Sequence, residues 1–261
     1  MTVGEPYYAD ERATLYQGDA LAVLREMPSA NVDAVITDPP YSSGGQFRGD
    51  RTADTGTKYT RGDVHQAPDF TGDTRDQRSY GYWCALWLGE ALRVAKPGAV
   101  LAVATDWRQL PTTTDAIQAG GWVWRGIAAW AKDNARPQLG RPAQACEFWV
   151  WGTAGPRPLE GDALPGWWFT KPLRGADRVH QTQKPIDVMR DLCRTALPGG
   201  LILDPFAGSG STGVAALLEG RRFVGVEMSE HYASVAAERL RTVAMRPGTG
   251  EQADIFGELA S

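Results

Sequence analysis

The chain has 261 residues, 43% of them hydrophobic, with a formal net charge of −4, which suits one large domain with an ordinary globular core. No run approaches the roughly 18 consecutive apolar residues of a membrane helix, and the opening residues lack the charged and apolar regions of a signal peptide, so a soluble cytoplasmic protein is expected. Cys84, Cys146 and Cys193 are odd in number and far apart, with no CxxC, and read as buried thiols rather than as a disulfide framework or a metal site.

In chain order, short apolar runs alternate with helical periodicity. This is the signature of βαβ units around a mostly parallel sheet. The pattern predicts helix 20–27, strand 32–37, helix 82–94, strand 100–105, helix 108–119, strands 122–130 and 146–151, helix 187–196, strand 201–204, helix 212–219, strand 223–227 and helix 230–243. Two segments break the rhythm. Residues 42–79 are poor in aliphatics and rich in Gly, Asp, Thr and Arg, and read as a long loop. Residues 152–179 are punctuated by Pro and Gly and read as an insertion carrying aromatic and basic side chains. The periodic pattern lapses after Val243, leaving 244–261 as a tail. The acidic whole does not advertise a nucleic-acid binder, yet Trp130 to Lys184 is locally +3, with eight basic and five acidic side chains.

Two stretches carry chemistry. In "ITDPPYSSGG", Ile36 to Gly45, two prolines force an extended exit from a strand and supply carbonyls without N–H donors. Asp38, Pro39, Pro40 and Tyr41 therefore make a corner of acceptors and one aromatic face, suited to a planar ligand bearing an amino group. In "LILDPFAGSGSTGVAALLEG", a strand runs into a glycine loop and an alanine-rich helix, and Gly208, Gly210 and Gly213 satisfy GxGxxG. The helix N-terminus after such a loop favours a negative group. Glu227 ends the next strand, where an acid suits the ribose hydroxyls of a nucleoside ligand; the plainer reading is a cap on the helix starting near Ser229. Asp204, at the tip of the strand before the loop, would repel a pyrophosphate and attract an ammonium group, which favours S-adenosylmethionine over NAD.

"DPPY" at Asp38–Tyr41, "HQTQKP" at His180–Pro185 and "DPFAGSGST" at Asp204–Thr212, in this order, resemble the amino-group DNA methyltransferases of the permuted β class. The resemblance spans about Leu15 to Leu240 and takes in "LYQGDAL", "KPGAVLAVATD" and "CEFWVW". It departs at His180-Gln181, where the family usually reads His-Pro. The resemblance implies a single Rossmann-like α/β methyltransferase domain, with helices on both faces of the sheet and a small target-recognition insertion at 152–179. It further implies that Asp38 and the Pro39 carbonyl accept hydrogen bonds from the target amine while Tyr41 stacks on an extruded base. S-adenosylmethionine would be held by Asp204, the backbone of Phe206, Ala207, Gly208 and Gly210, and Glu227. Asp19 would approach the adenine or the pocket edge, and Thr182 and Lys184 the methionine carboxylate.

Double-stranded DNA is the implied partner, with the base flipped out of the stack. Lys171, Arg174, Arg178 and the pair Trp167-Trp168 are candidate target contacts, and Arg48, Arg51, Lys58 and Arg61 of the long loop could reach phosphates. The plainer reading has the tryptophans covering the core and the arginines solvated. A leading Asp is commoner for adenine-N6 in the family and a leading Ser for cytosine-N4, so Asp38 points to adenine. No cysteine sits in a Pro-Cys corner, which sets carbon-5 methylation aside. The rival readings are a nucleotide-dependent oxidoreductase, a non-catalytic nucleic-acid binder, and a methyltransferase acting on RNA or a protein amide. A restriction endonuclease partner and a monomeric or homodimeric state both stay open.

Overall fold

The computed structural model describes residues 4–41, 75–132, 139–170 and 184–245. The predicted contacts Arg48, Arg51, Lys58, Arg61, Lys171, Arg174 and Arg178, the cofactor candidate Thr182, and most of the tail lie outside the described residues.

The nine strands are β1 (Tyr8–Ala9), β2 (Ala13–Gln17), β3 (Val32–Thr37), β4 (Ala95–Thr105), β5 (Val123–Lys132), β6 (Cys146–Thr153), β7 (Trp167–Thr170), β8 (Leu201–Asp204) and β9 (Arg222–Glu227). They form one sheet in the order β1-β2-β9-β8-β3-β4-β6-β5-β7. From β2 to β4 every neighbouring pair is parallel, whereas β6 runs antiparallel to both β4 and β5. Helices α1 (Ala20–Glu26), α2 (Gln77–Val94) and α3 (Leu110–Ala119) cover one face. Helices α4 (Ile186–Cys193), α5 (Ser211–Leu218) and α6 (Glu230–Ala244) cover the other.

Strand alternation sorts the core. Ala34 and Ile36 join the cluster under α4–α6, while Val35 joins the α1–α3 cluster around the fully buried Trp87, Tyr80 and Leu88. Burying each such large side chain contributes about 1.5–3 kcal/mol. The short β8 is buried along its whole length, as a central parallel strand must be. Gly213 lets α5 lie close on β9, because a Cβ there would meet Leu240 and Phe223 at 2.7 Å.

Three expectations change. The stretch read as an irregular insertion contains β7, an edge strand paired in parallel with β5; its Trp, Phe and Thr suit a strand although Pro and Gly flank it. The predicted loop 42–79 ends earlier, because Asp76 caps α2 by accepting from the Arg78 and Ser79 backbone N–H groups. Cys84 and Cys193 are buried thiols, but Cys146 is only half-buried.

Candidate active site

β3 delivers Asp38 to the C-terminal edge of the sheet, on the α4 face shared by Ala34 and Ile36, and the chain leaves through Pro39, Pro40 and Tyr41. Asp38 Oδ1 accepts the Tyr41 hydroxyl, and its Oδ2 lies 2.9 Å from Lys184 Nζ. Lys184 precedes Pro185, the N-cap of α4, and is only 6% exposed. Its ammonium is also 2.9 Å from Glu147 Oε2 and donates to Tyr41 Oη at 2.8 Å. Glu147 projects from β6 on the face of Trp149, opposite Trp130 of β5, and pairs on its outer side with Lys132. Lys132 Nζ stands 4.6 Å from the centroid of the Trp130 ring.

Two carboxylates and two ammonium groups thus balance around one phenol. Burial pushes the Asp38 carboxyl up, with Lys184 and the Tyr41 hydroxyl opposing it. Burial also acts to raise Glu147, but Lys184 and Lys132 outweigh it and hold Glu147 at about 2. Desolvation would lower Lys184, yet Asp38 and Glu147 raise it above its ordinary range. Tyr41 is driven well above its usual value by burial and by the charge of Asp38.

The glycine loop lies beside this corner because β3 and β8 are parallel neighbours. Asp204 is 2% exposed. Its Oδ1 accepts from Thr37 Oγ1 at 2.6 Å and from the Phe206 N–H at 3.0 Å, while its Oδ2 accepts from Thr212 Oγ1 at 2.5 Å. Burial, reinforced by the charge of Asp38 and opposed by the hydrogen bonds from Thr212, Thr37 and Phe206, pushes Asp204 up to about 6. Ala207 N–H donates to Val226 at 2.8 Å and fastens the loop to β9. Gly208 is left-handed at φ 51°, and a Cβ there would meet nothing within 4 Å. The loop therefore turns an open backbone face outward.

Glu227 serves both of its alternatives at once. Its Oε2 accepts from Gly208 N–H and its Oε1 from Ser229 N–H, each at 2.8 Å. A carboxylate has about four lone-pair sites, so acceptor capacity is left for a ligand. Burial raises its carboxyl while these backbone bonds pull it down. Asp19, exposed, follows Gly18, whose N–H donates to the Glu227 carbonyl at 3.0 Å, and caps α1 by accepting from Ala22 N–H at 2.9 Å.

Lys184, expected at the methionine carboxylate, is paired here with two half-buried carboxylates, Asp38 and Glu147. Trp168 was a candidate DNA contact, but it is 9% exposed, with its indole N–H donating to Asp191 Oδ2 at 2.8 Å, whereas its neighbour Trp167 is 67% exposed. Adjacent strand residues point to opposite faces, and Trp168 took the core side. Sequence reasoning missed Glu147 and Lys132 as members of the site. The signal was present: Glu147 is the lone charge in the apolar run "CEFWVW".

A family model described as DNA methylase matches residues 32–238. The chain is 30% identical over 239 residues to YubD of Escherichia coli (strain K12), covering 89% of this chain and 92% of that protein. It is also 30% identical to the type II methyltransferase M.XycI of Xanthomonas campestris pv. cyanopsidis, covering 88% of each. Among solved structures, the M1.HpyAVI–SAM complex superposes with a TM-score of 0.63 at 22% identity, over 87% of this chain and 98% of the other. The PvuII cytosine-N4-specific DNA methyltransferase superposes with a TM-score of 0.68 at 18% identity, over 99% and 96%. These likenesses establish the fold as that of S-adenosylmethionine-dependent methyltransferases. The cofactor fits the residues present, because the outward face at Gly208 is flanked by two acids, Asp204 and Glu227, that have no basic side chain paired to them among the described residues. The fingerprint that admitted an oxidoreductase thus belongs to a methyl-transfer enzyme: the chain is a member of the DNA methylase family of N6/N4 methyltransferases.

Proposed function

We propose that this enzyme methylates the exocyclic N6 of adenine in double-stranded DNA, as an amino-group methyltransferase of the permuted β class. The observation that carries the reading is the corner itself: a half-buried carboxylate, an aromatic ring, and two prolines that offer acceptors without competing N–H donors. The lone pair of an exocyclic amine is delocalised into the ring, so the nitrogen is a poor nucleophile. Acceptors at Asp38 and the Pro39 carbonyl draw it towards tetrahedral geometry and aim it. Alignment of this kind contributes roughly 7–11 kcal/mol in favourable cases, set against about a few kcal/mol for taking the base out of the helix.

When bound, S-adenosylmethionine supplies an electrophilic methyl carbon whose bond to sulfur breaks with the electron pair going to sulfur. The amine forms the new N–C bond and sheds a proton, for which Asp38 is the nearest base. Asp204 would face the methionine ammonium and Glu227 the ribose hydroxyls. The leading Asp favours adenine over cytosine.

The test is incubation with labelled cofactor and mixed-sequence duplex DNA, digestion to nucleosides and mass spectrometry, with Asp38→Ala as control. Methyladenine from the wild type alone supports the reading. N4-methylcytosine overturns the target while keeping the chemistry, and the absence of any methylated nucleoside overturns DNA as the substrate.

A further inference from the structure

Glu147 occupies a costly position. Its carboxylate is largely withdrawn from water in a strand whose neighbouring residues are apolar, and an ion so placed is tolerated only when paired. Its inner partner, Lys184, has three N–H donors and no acceptor. Three oxygens surround that ammonium: Asp38 Oδ2 at 2.9 Å, Glu147 Oε2 at 2.9 Å and Tyr41 Oη at 2.8 Å. The two carboxylates therefore hold the same cation at the same distance, and each limits what the other receives. Lys132 closes the outer side of Glu147.

We propose that Glu147 is a positioning residue for methyl transfer: by sharing Lys184 with Asp38 it offsets part of the ammonium's charge and leaves Asp38 basic enough to accept from the target amine. The proposal rests on the reading of Asp38 as that acceptor. Among the described residues, the charged and titratable groups that face the cluster are Lys132 and Lys184 on Glu147; Lys184, Tyr41, Glu147 and, from β8, Asp204 on Asp38; and Asp106, more distantly, on Tyr41. The two carboxylates act in opposition. Removing the charge of Glu147 leaves the Lys184 charge undivided on Asp38 and removes a repulsion, so Asp38 becomes a weaker base. Removing Lys132 lets Glu147 draw Lys184 outward, so Asp38 becomes a stronger one.

Two variants and two readouts test this. Asp38 is titrated by carboxyl carbon NMR in the wild type, Glu147→Gln and Lys132→Met, and single-turnover methyl transfer is followed against pH in the same proteins. In Glu147→Gln the Asp38 titration and the acid limb of the rate are expected to fall together by about one pH unit. The rate on the plateau should drop on the order of ten-fold, a small part of what a positioned base supplies, with S-adenosylhomocysteine affinity unchanged. In Lys132→Met both midpoints are expected to rise. A purely structural role would give no such opposite pair. An unmoved Asp38 titration in folded Glu147→Gln, or a shift of both variants in one direction, overturns the proposal. If Glu147→Gln does not fold, Lys132→Met decides alone: a rise supports the proposal and no change overturns it. A wild type that transfers no methyl group to DNA refutes the substrate reading, while the NMR titration still tests the coupling.

Discussion

The two halves of the C-terminal sheet edge hold their acids in opposite ways. At the cofactor loop, Asp204 and Glu227 are met by threonine hydroxyls and backbone N–H groups. At the target corner, Asp38 and Glu147 are met by the ammonium groups of Lys184 and Lys132. Dipoles satisfy a carboxylate without cancelling its charge, and a cation cancels it. The difference is sharpest between Asp204, pushed up to about 6, and Glu147, held at about 2 by two ammonium groups; Asp38, with Lys184 alone, is still pushed up by burial. It also matches the two ligands. On the proposed reading, the loop would keep a negative field for a cofactor carrying an ammonium and a sulfonium, while the balanced corner would present acceptors to a neutral base.

The strongest way to break the contrast is Asp38→Ala. Methyl transfer should fall by at least about 10³-fold in single-turnover measurements, the combined loss of an acceptor and of alignment. Lys184 keeps Glu147 as a partner, so folding should survive, and S-adenosylhomocysteine affinity measured by calorimetry should be unchanged. A comparable loss of cofactor affinity would show that the two halves are not separate.

Asp204→Asn tests the other half through stability. The folded-state carboxyl titrates near 6, above its ordinary 3.8, so the native state binds the extra proton between those values. Stability from this group is therefore greatest at low pH, declines as pH rises from about 4 to 6, and stays reduced above. Two units correspond to roughly 3 kcal/mol at most. Asparagine retains an acceptor for Thr37 and Phe206 and carries no charge. At pH 8 the variant should equal or exceed the wild type in urea unfolding, while cofactor binding weakens. Glu147 has the reverse sign. Its folded value near 2 lies below the ordinary 4.5, so its contribution is present above 4.5 and lost as pH falls towards 2. Destabilisation of Asp204→Asn at pH 8 would sink the account of Asp204 as a strained anion.

A smaller effect is expected for Glu227→Gln. The loop loses a charged acceptor but keeps an oxygen, so cofactor affinity should weaken on the order of ten-fold, about 1.4 kcal/mol. Stability should move little, because Gly208 and Ser229 still have one acceptor between them. An unchanged dissociation constant would leave Glu227 as a loop and helix brace only.

What could be read from the sequence divides along the same line. β3 and β8 begin and end where the apolar runs do, and the loop and the DPPY corner announce themselves through local chemistry: prolines, glycines and an acid at a strand tip. The Asp38–Lys184–Glu147–Lys132 cluster depends on strand order instead. Glu147 reaches Asp38 because β6 runs antiparallel beside β4 and brings its first residues to the edge where β3 ends. Nothing local specifies that pairing, and the motif neighbours of Lys184 gave no sign that Asp38 and Glu147 would pair with it. β2 was passed over because it is short, and its polar residues hid a parallel partner, β9, that lies more than 200 positions away.

The edge strand β7 carries the finest version of the contrast, within two consecutive residues. Trp168 faces the core and donates to Asp191, whereas Trp167 stands in solvent. Trp168→Phe removes one hydrogen bond to a carboxylate that can partly rehydrate, and should cost about 1 kcal/mol of stability without changing DNA affinity. Trp167 is 67% exposed, so Trp167→Ala should change stability by less than about 0.5 kcal/mol. If the target side of the sheet meets DNA at this edge, Trp167→Ala alone will weaken binding in a titration at fixed salt. Equal weakening by both variants would mean that β7 peels from β5 on binding, since no other movement presents both faces of a strand to one ligand.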